Sequence, residues 1–357
     1  MPGNDDGVEQ PTNASTREAL HAIERAQASG VPVEALGFYS RWWQLETWLR
    51  TFAYIELRTM YGRGWVQHLA ESAPTRAARD QVNAYMASPD AENPLAYLDV
   101  FDLFALIDDD EHWWLFEPCL PPRLRWRGSV DELRALRHRN AHCRRPHRDD
   151  LGRLEQFLRD LEPGARRALS SYWTTHAIDS SVRDAVVRAW FKKRHPDAAR
   201  LVDHARRQYE ASLHISVSSR PWAEYVGGNN VTGRRGLIWH VRFQFFGGRL
   251  ITPKAFWKSQ HLSRADTRHL ILHAMHSDPT GVTVTFAAVD DGASVADAIG
   301  ACFDAVLAES DPWGSHDVWE NWTDGSDGLD ARVQVETALA LADRELPFTI
   351  FGAERVR

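Results

Sequence analysis

The sequence predicts a multidomain fold in which an all-α helical bundle is followed by a mixed α+β domain. Before residue 163 the apolar residues recur at helical spacing, whereas after residue 211 segments that alternate as strands do are interspersed with helical ones. The 357 residues are enough for two domains. We therefore expect a disordered tail over 1–16, a helical domain over 17–163, a helical connector over 164–210 and an α+β domain over 211–357.

The first helices are predicted from apolar spacing and from the residues at their ends. A short amphipathic helix covers 17–29, and a long helix over 36–60 carries an apolar stripe at helical spacing. A third helix is predicted over 74–87. Asn93-Pro94 then opens a helix over 95–107, since proline is well tolerated in the first turn.

The remainder of the helical domain is predicted to hold a loop and two further helices. Residues 108–130 combine acids, aromatics and prolines, which favours a connecting loop. A helix over 130–142 ends before Pro146, because proline lacks the amide hydrogen that a helix interior requires. A last helix over 151–162 is closed by Pro163-Gly164.

The C-terminal domain is predicted from a change in pattern. Short segments rich in β-branched and aromatic residues indicate strands over 214–218, 236–246 and 281–289. Residues 249–252 are the expected hairpin partner of the second strand, across Gly247-Gly248. Further elements are predicted as helices over 263–277, 294–309 and 331–343 and a short strand over 347–351.

Composition narrows the class of protein. Apolar residues make up 43% of the chain and charged residues 25%, as in globular proteins, and no apolar run is long enough for a membrane span. The acidic N-terminus lacks the features of a secretory signal. Cys119, Cys143 and Cys302 show neither metal-ligand nor redox spacing. We therefore expect a cytoplasmic protein with no disulfide, no membrane contact and no cofactor.

Charge is distributed unevenly along the chain. Residues 118–170 hold 13 basic against 7 acidic residues, whereas residues 277–345 hold 2 basic against 15 acidic residues. A polyanionic partner fits the first segment and not the second. The alternative is that most of these arginines belong to solvated helix faces, with their aliphatic stems packed along the surface.

One six-residue segment, Arg137 to His142, carries the clearest functional pattern. It places an arginine five positions before a histidine, with His138 next to the arginine, near the end of a helix. This Arg-x4-His pattern resembles the signature of HEPN-domain ribonucleases of the prokaryotic toxin and abortive-infection type. The long helix that runs into Tyr61-Gly62 and the helix before the motif also resemble helices of that family, so the resemblance covers residues 36–162. No family resemblance is apparent in the C-terminal domain.

The resemblance implies a HEPN-like helical bundle with endoribonuclease activity that needs no metal. The 2′-OH of RNA would attack the adjacent phosphate and leave 2′,3′-cyclic phosphate and 5′-OH ends. His142 is the candidate general acid or base, because imidazole titrates near neutral pH, and Arg137 would stabilise charge on the phosphate. The candidate supporting residues are His138, Asn140 and Glu46, and the candidate RNA-binding residues are Arg123, Arg125, Arg127, Arg134, Arg139, Arg144 and Arg145.

Helix geometry adds an expectation about assembly. Arg137 and His142 lie about 140° apart on an ideal helix, so they do not share one face. HEPN proteins bring two copies of the motif into one cleft, and the resemblance therefore implies a homodimer with a composite active site that binds RNA. The C-terminal domain would be the sensor or regulator and would bind a trigger or an antitoxin.

Three alternatives remain open for the motif. Basic residues at the end of a helix also complement the helix dipole without any further role. The domain could instead be a non-catalytic HEPN module that binds RNA or serves in assembly. His138, His142 and His147 could bind a metal, as in a metal-dependent nuclease, although no cysteine or carboxylate lies at ligand spacing.

Overall fold

The computed structural model describes residues 14–70, 72–82, 94–263, 267–312 and 329–335. A helical N-terminal region is followed there by a region that mixes helices with a sheet. The helices are α1 (Ala14–Ala28), α2 (Val33–Tyr61), α3 (Ser72–Gln81), α4 (Val100–Asp108), α5 (Trp113–Phe116), α6 (Arg123–Ala141), α7 (Asp150–Trp173), α8 (Ala185–Trp190), α9 (Ala198–Tyr209), α10 (Pro253–Lys258), α11 (Thr267–Leu270) and α12 (Gly292–Glu309). The strands are β1 (His176–Ala177), β2 (Ala211–Ser219), β3 (Leu237–Phe245), β4 (Arg249–Leu250), β5 (Ile271–His276), β6 (Gly281–Ala287), β7 (Asp311–Pro312) and β8 (Val333–Val335).

Helix α2 is the central element of the helical region. It contacts α4, α5, α6 and α7, and its second half is buried continuously from Phe52 to Met60. Aromatic side chains fill much of this core. Trp126 of α6 is 1% exposed and packs edge-on against Phe104 of α4 and at a tilt against Phe157 of α7. Large, closely packed rings therefore fix the position of α6 relative to α2.

A six-stranded sheet separates two apolar cores. Its strand order is β1-β2-β3-β6-β5-β8, and neighbours are antiparallel except for the parallel pair β5 and β8. Successive side chains of a strand point to opposite faces. Thus Ile238 of β3 belongs to the core of the helical region, whereas Trp239 belongs to the core that α8, α9 and α12 form on the other face.

Buried polar contacts also connect the helical region to the sheet. Glu56 of α2 forms an ion pair with Arg220, which follows β2, and both side chains are fully buried. The hydroxyl of Tyr172, on α7, lies 2.9 Å from Nδ1 of His273 in β5 and 2.9 Å from Oγ1 of Thr285 in β6. Helices α2 and α7 therefore pack on the sheet through charged and hydrogen-bonded groups as well as apolar ones.

Several sequence predictions are confirmed. The predicted helices over 36–60 and 294–309 correspond to α2 and α12. The predicted strands over 214–218, 236–246 and 281–289 correspond to β2, β3 and β6. Among the described helices, none has the length and apolarity needed to cross a membrane.

Two predictions in the helical region are wrong. The segment 108–130 is not a loop, because α5 lies within it and α6 begins at Arg123, directly after Pro121-Pro122. The helix of 151–162 does not end at Pro163-Gly164, since α7 continues to Trp173 across the predicted boundary at 163. Position 164 lies inside α7 and holds a glycine because the backbone of Cys119 approaches it closely. A Cβ at this position would lie 1.8 Å from the Cys119 carbonyl oxygen.

Other predictions fail at the sheet. Residues 271–276 form strand β5 and not the predicted helix over 263–277. Arg249–Leu250 pairs with β7 and not with β3, so the hairpin predicted for 249–252 is wrong. The predicted helix over 331–343 begins instead with strand β8. Helix α1 begins inside the predicted tail over 1–16, and the predicted strand over 347–351 lies outside the described residues.

Candidate active site

A groove between α2 and the end of α6 brings together several of the residues predicted to form a site. Its volume is about 470 Å³. One face of α2 contributes side chains at helical spacing, because residues three, four and seven apart lie on the same side of a helix. The lining includes Tyr39, Trp42, Trp43 and Glu46 from α2 and Arg137 and Asn140 from α6.

Arg137 enters this groove half-buried, with its guanidinium 5.7 Å above the ring of Phe101. Arg134 lies over the same ring at 5.5 Å. The face of an aromatic ring attracts positive charge, so Phe101 stabilises both cations, and Arg134 also forms an ion pair with Asp131. Among the described residues no carboxylate pairs with Arg137. Its charge is therefore available to an anion in the groove.

Asn140 supplies a second polar group to the groove. Its Nδ2 donates a hydrogen bond to the carbonyl oxygen of Leu136 at 3.2 Å. Its Oδ1 is buried and has no hydrogen-bond partner among the described residues. A buried acceptor without a donor is costly, so a ligand hydroxyl that donated to this oxygen would be stabilised there.

Glu46 reaches the groove from α2 but is already engaged. It forms an ion pair with Arg50, and its Oε2 accepts a hydrogen bond from Nε1 of Trp42 at 2.9 Å. Arg50 in turn donates from Nε to the carbonyl oxygen of Leu95 at 3.1 Å. This network fixes the orientation of Trp42 and neutralises the carboxylate. Glu46 can therefore shape the groove, but it is a poor candidate for a free base.

The two histidines of the motif lie where α6 ends. The helix closes with a Schellman motif, in which the amides of Cys143 and Arg144 donate to the carbonyls of Asn140 and Arg139, each at 3.1 Å. Cys143 has a φ of 51°, the left-handed conformation that this motif requires. His142 is thus the helix C-cap.

The imidazoles of His138 and His142 face each other at the helix end. Their ring centroids are 4.4 Å apart, and both side chains are exposed. No side-chain hydrogen bond to either imidazole occurs within the part of the chain that the structure describes. His142 is not among the residues that line the groove, whereas Arg137 is. The two motif residues therefore point in different directions, as their helical spacing predicts.

Most of the predicted RNA-binding arginines form ion pairs within the chain. Arg123 and Arg127 both pair with Asp108, and Arg125 pairs with Asp160. Arg125 and Arg127 are exposed, and ion pairs at the surface contribute only about 0–1 kcal/mol, so a phosphate can compete for these two arginines. The pair between Arg123 and Asp108 is half-buried. These residues form a charged surface whose basic groups are partly neutralised.

Arg139 is held more firmly than the other arginines. Its Nη1 donates to both carboxylate oxygens of Asp150, at 2.6 and 2.8 Å, and Asp150 is only 2% exposed. This pair connects the end of α6 to the start of α7 and makes Arg139 a structural residue. Arg144 and Arg145, on the loop between these helices, are exposed and have no acidic partner among the described residues.

Sequence reasoning missed the aromatic surface of α2. Tyr39 and Trp43 are each 62% exposed, and their ring centroids lie 6.3 Å apart. Large aromatic side chains that lie exposed side by side at a groove are a candidate binding surface. The signal was present in the sequence as aromatic residues at positions 38, 39, 42 and 43, which cover more than the buried face of one helix.

A second cavity, of about 380 Å³, lies on the polar face of the sheet. Arg242, His240 and His214 are among the residues that line it. His240 is buried and bonds through Nε2 to Oγ of Ser218 at 2.8 Å, and burial lowers its pKa to about 3. The imidazole is therefore neutral at pH 7. No predicted site residue lies in this cavity.

No protein-family model matches the chain, and neither a curated protein nor a solved structure is significantly similar to it.

Proposed function

We propose that this chain is a metal-independent endoribonuclease of the HEPN type that acts as a toxin or antiphage effector. The observation that carries the proposal is the groove between α2 and α6. Within the described residues, it combines the Arg137 cation, which has no carboxylate partner there, with the unsatisfied acceptor of Asn140 and exposed aromatic rings, next to imidazoles without a side-chain hydrogen bond. A single-stranded RNA offers a partner for each of these groups.

Recognition would begin with the aromatic surface. Nucleobases of single-stranded RNA stack on aromatic side chains, and each such contact contributes about 1–3 kcal/mol. Tyr39 and Trp43 are exposed enough to receive bases, and Arg137 lies on the opposite side of the same groove. The phosphate would then lie against Arg137, with Arg144 and Arg145 adding positive charge along the loop.

The chemistry requires that a proton leave the 2′-OH while another reaches the 5′-oxygen. An imidazole performs either transfer near neutral pH, and we assign this role to His142. Arg137 would stabilise the charge on the five-coordinate phosphate. The buried Oδ1 of Asn140 would accept a hydrogen bond from a ribose hydroxyl, and His138, whose ring meets that of His142 edge-on, would orient the His142 imidazole. Glu46 would support the groove through Trp42.

A homodimer completes the proposed site. Because Arg137 lines the groove and His142 does not, one chain does not direct both groups into the groove. A second copy related by two-fold symmetry would place its own His142 against the first groove, and the reciprocal contact would form the second site. Each composite site would thus use Arg137 of one protomer and His142 of the other.

Cleavage of a synthetic RNA by the wild-type chain, Arg137→Ala and His142→Ala tests the proposal. General acid–base catalysis contributes about 10²–10⁴-fold, and we expect His142→Ala to lose at least 10²-fold in rate. His204→Ala is a matched control, because this histidine is exposed on α9, away from the motif. EDTA should have no effect, and an RNA with a single 2′-deoxy position should resist cleavage there. Equal rates for all four proteins would refute the assignment.

Mixing the two inactive variants tests the dimer. A heterodimer of Arg137→Ala and His142→Ala chains would contain one intact composite site, so about a quarter of wild-type activity should return. If each protomer used its own Arg137 and His142, the mixture would remain inactive. This result would contradict the shared site without affecting the assignment of the catalytic groups.

The second candidate function is a non-catalytic RNA-binding module. The exposed rings of Tyr39 and Trp43 favour it, since stacking alone needs no acid–base group. This function predicts that Trp43→Ala weakens RNA binding, while His142→Ala alters neither binding nor cellular toxicity. Binding by fluorescence anisotropy and growth arrest on expression separate the two functions.

Regulation would reside in the C-terminal region. The cavity on the sheet is lined by Arg242 and Asp278 together with uncharged polar side chains, so it would suit a small polar trigger, and an antitoxin would cover the same surface. We expect Arg242→Ala to leave RNA cleavage by the purified protein intact and to abolish growth arrest in infected cells. Loss of cleavage in the purified variant would contradict a purely regulatory role.

A further inference from the structure

Three potential metal ligands meet at the other end of α2 from the groove. His68 lies at the end of the 3₁₀ turn that follows α2, and Glu111 and His112 precede α5. One ligand atom from each of the three side chains lies within 4.8 Å of the other two. Nδ1 of His68 and Oε1 of Glu111 are 3.7 Å apart.

His112 is the unusual member of this group. His112 is only 5% exposed, yet neither of its ring nitrogens has a hydrogen-bond partner among the described residues. A buried polar group without a partner is destabilising and is rare in folded proteins. A metal ion bound at one of these ring nitrogens would supply the missing partner.

The two imidazoles are already oriented by an aromatic neighbour. The ring of Tyr61 stacks on His68 with centroids 3.5 Å apart and meets the ring of His112 edge-on at 5.9 Å. The centroids of the two imidazoles are 5.5 Å apart. In a tetrahedral site with bonds of about 2.0–2.1 Å, ligand atoms are about 3.4 Å apart. The separation of His68 and Glu111 is close to that value, so small side-chain rotations would complete the geometry.

We propose that His68, Glu111 and His112 bind a Zn²⁺ ion that fastens the turn after α2 to the turn before α5. Two imidazoles and one carboxylate suit zinc, whereas Mg²⁺ and Ca²⁺ prefer sites made of oxygen ligands. Glu111 is 65% exposed at its side chain, which leaves a coordination position open to water. Asp109, whose Oδ1 lies 3.8 Å from Nδ1 of His112, is close enough to act as an outer hydrogen-bond partner.

This site is separate from the proposed catalytic groove. Glu46 and Tyr61 are fifteen positions apart on one helix, a distance of about 22 Å at 1.5 Å per residue. The zinc therefore acts on folding and not on RNA cleavage. The inference does not rest on the proposed function, and a protein that binds zinc here could still cleave RNA in EDTA.

Calorimetric titration of the metal-free full-length protein with ZnCl₂ tests the site. We expect the wild type to bind one zinc ion per chain. His68→Ala should lose this binding, and Glu111→Gln should bind the ion at least about tenfold more weakly. The matched control is Glu117→Gln, which changes an exposed carboxylate in the next turn and should bind as the wild type does. Zinc at saturating concentration should raise the Tm of the wild type by several degrees and that of His68→Ala by much less.

Two results would overturn the inference. The first is the absence of zinc binding by the wild type at micromolar concentration. The second is equal binding by the wild type, His68→Ala and Glu111→Gln, which would assign the metal to other histidines. The visible spectrum of the Co²⁺-substituted protein gives an independent measurement, because tetrahedral coordination produces bands that octahedral Co²⁺ in water lacks. A spectrum unchanged in Glu111→Gln would also contradict the assignment of that ligand.

Discussion

Replacement of Arg220 by methionine tests whether the helical region and the sheet fold as one unit. Arg220 donates from Nε to both carboxylate oxygens of Glu56, at 3.0 and 3.1 Å, and from Nη1 to the carbonyl of Ala168 at 3.2 Å and to Oγ of Ser171 at 3.0 Å. Both members of the ion pair are fully buried. In Arg220→Met the Glu56 carboxylate would keep one donor, Nε1 of Trp222 at 2.6 Å.

The expected loss is large because a buried charge would lose its partner. Breaking a buried ion pair from one side costs about 3–5 kcal/mol, whereas replacing both members by apolar side chains is often neutral. Domains are stable by only about 5–15 kcal/mol, so Arg220→Met should remove a substantial part of the free energy of unfolding. The double variant Glu56→Leu/Arg220→Met should recover at least about 2 kcal/mol of that loss.

Urea unfolding, followed by far-UV circular dichroism and by tryptophan fluorescence, measures this effect. The two signals should change together in the wild type, because α2 and α7 share their core with the sheet. Arg242→Met is the control, since this arginine is exposed on the same sheet and its loss should cost less than about 0.5 kcal/mol. A loss below about 1 kcal/mol in Arg220→Met, or a double variant less stable than Arg220→Met, would refute the reasoning.

Three further predictions concern stability. The pKa of each of His240, His273 and His276 is lowered to about 3 by burial, so below pH 6.5 the unfolded chain binds protons that the native chain excludes. The free energy of unfolding should level off above about pH 7.5 and be lower by about 2 kcal/mol per histidine at pH 5; urea titrations that agree at pH 7.5 and pH 5 would exclude this. Tyr172→Phe should cost about 1–3 kcal/mol, because the buried Nδ1 of His273 loses the hydroxyl that it bonds; an unchanged urea midpoint would contradict it. Gly164→Ala should lower the Tm by several degrees, since its Cβ would clash with the Cys119 carbonyl; a Tm equal to that of the wild type would show that α7 can shift.

Long elements with a sustained apolar or β-branched pattern could be predicted from the sequence. The helices at 36–60 and 294–309 have apolar residues at helical spacing, and the strand over 236–246 is rich in β-branched and aromatic residues. Strand β5 could not be predicted from the sequence, because all six of its residues are buried. A strand that is buried on both faces shows no alternation, and residues 263–277 were therefore predicted as a helix.

Some of the residues that line the groove were selected from the sequence as candidate site residues. Arg137, Asn140 and Glu46 were selected from the sequence, and they line one groove although ninety residues separate Glu46 from the motif. The ion pairs that Arg123 and Arg127 make with Asp108 depend on where α4 ends against α6, which no local pattern contains. The zinc ligands are equally non-local, since His68 and Glu111 come from two separate turns.

The ion pair between Arg139 and Asp150 would affect the binding of RNA at the motif. It joins the two ends of the segment 140–149, which carries His142, Arg144 and Arg145. Closing a loop restricts the conformations of the chain, and folding has already imposed that restriction here. RNA would therefore encounter a preorganised loop and lose little conformational entropy of the protein on binding. In Asp150→Asn the same cationic residues would remain, but we expect weaker RNA binding with a larger unfavourable entropy.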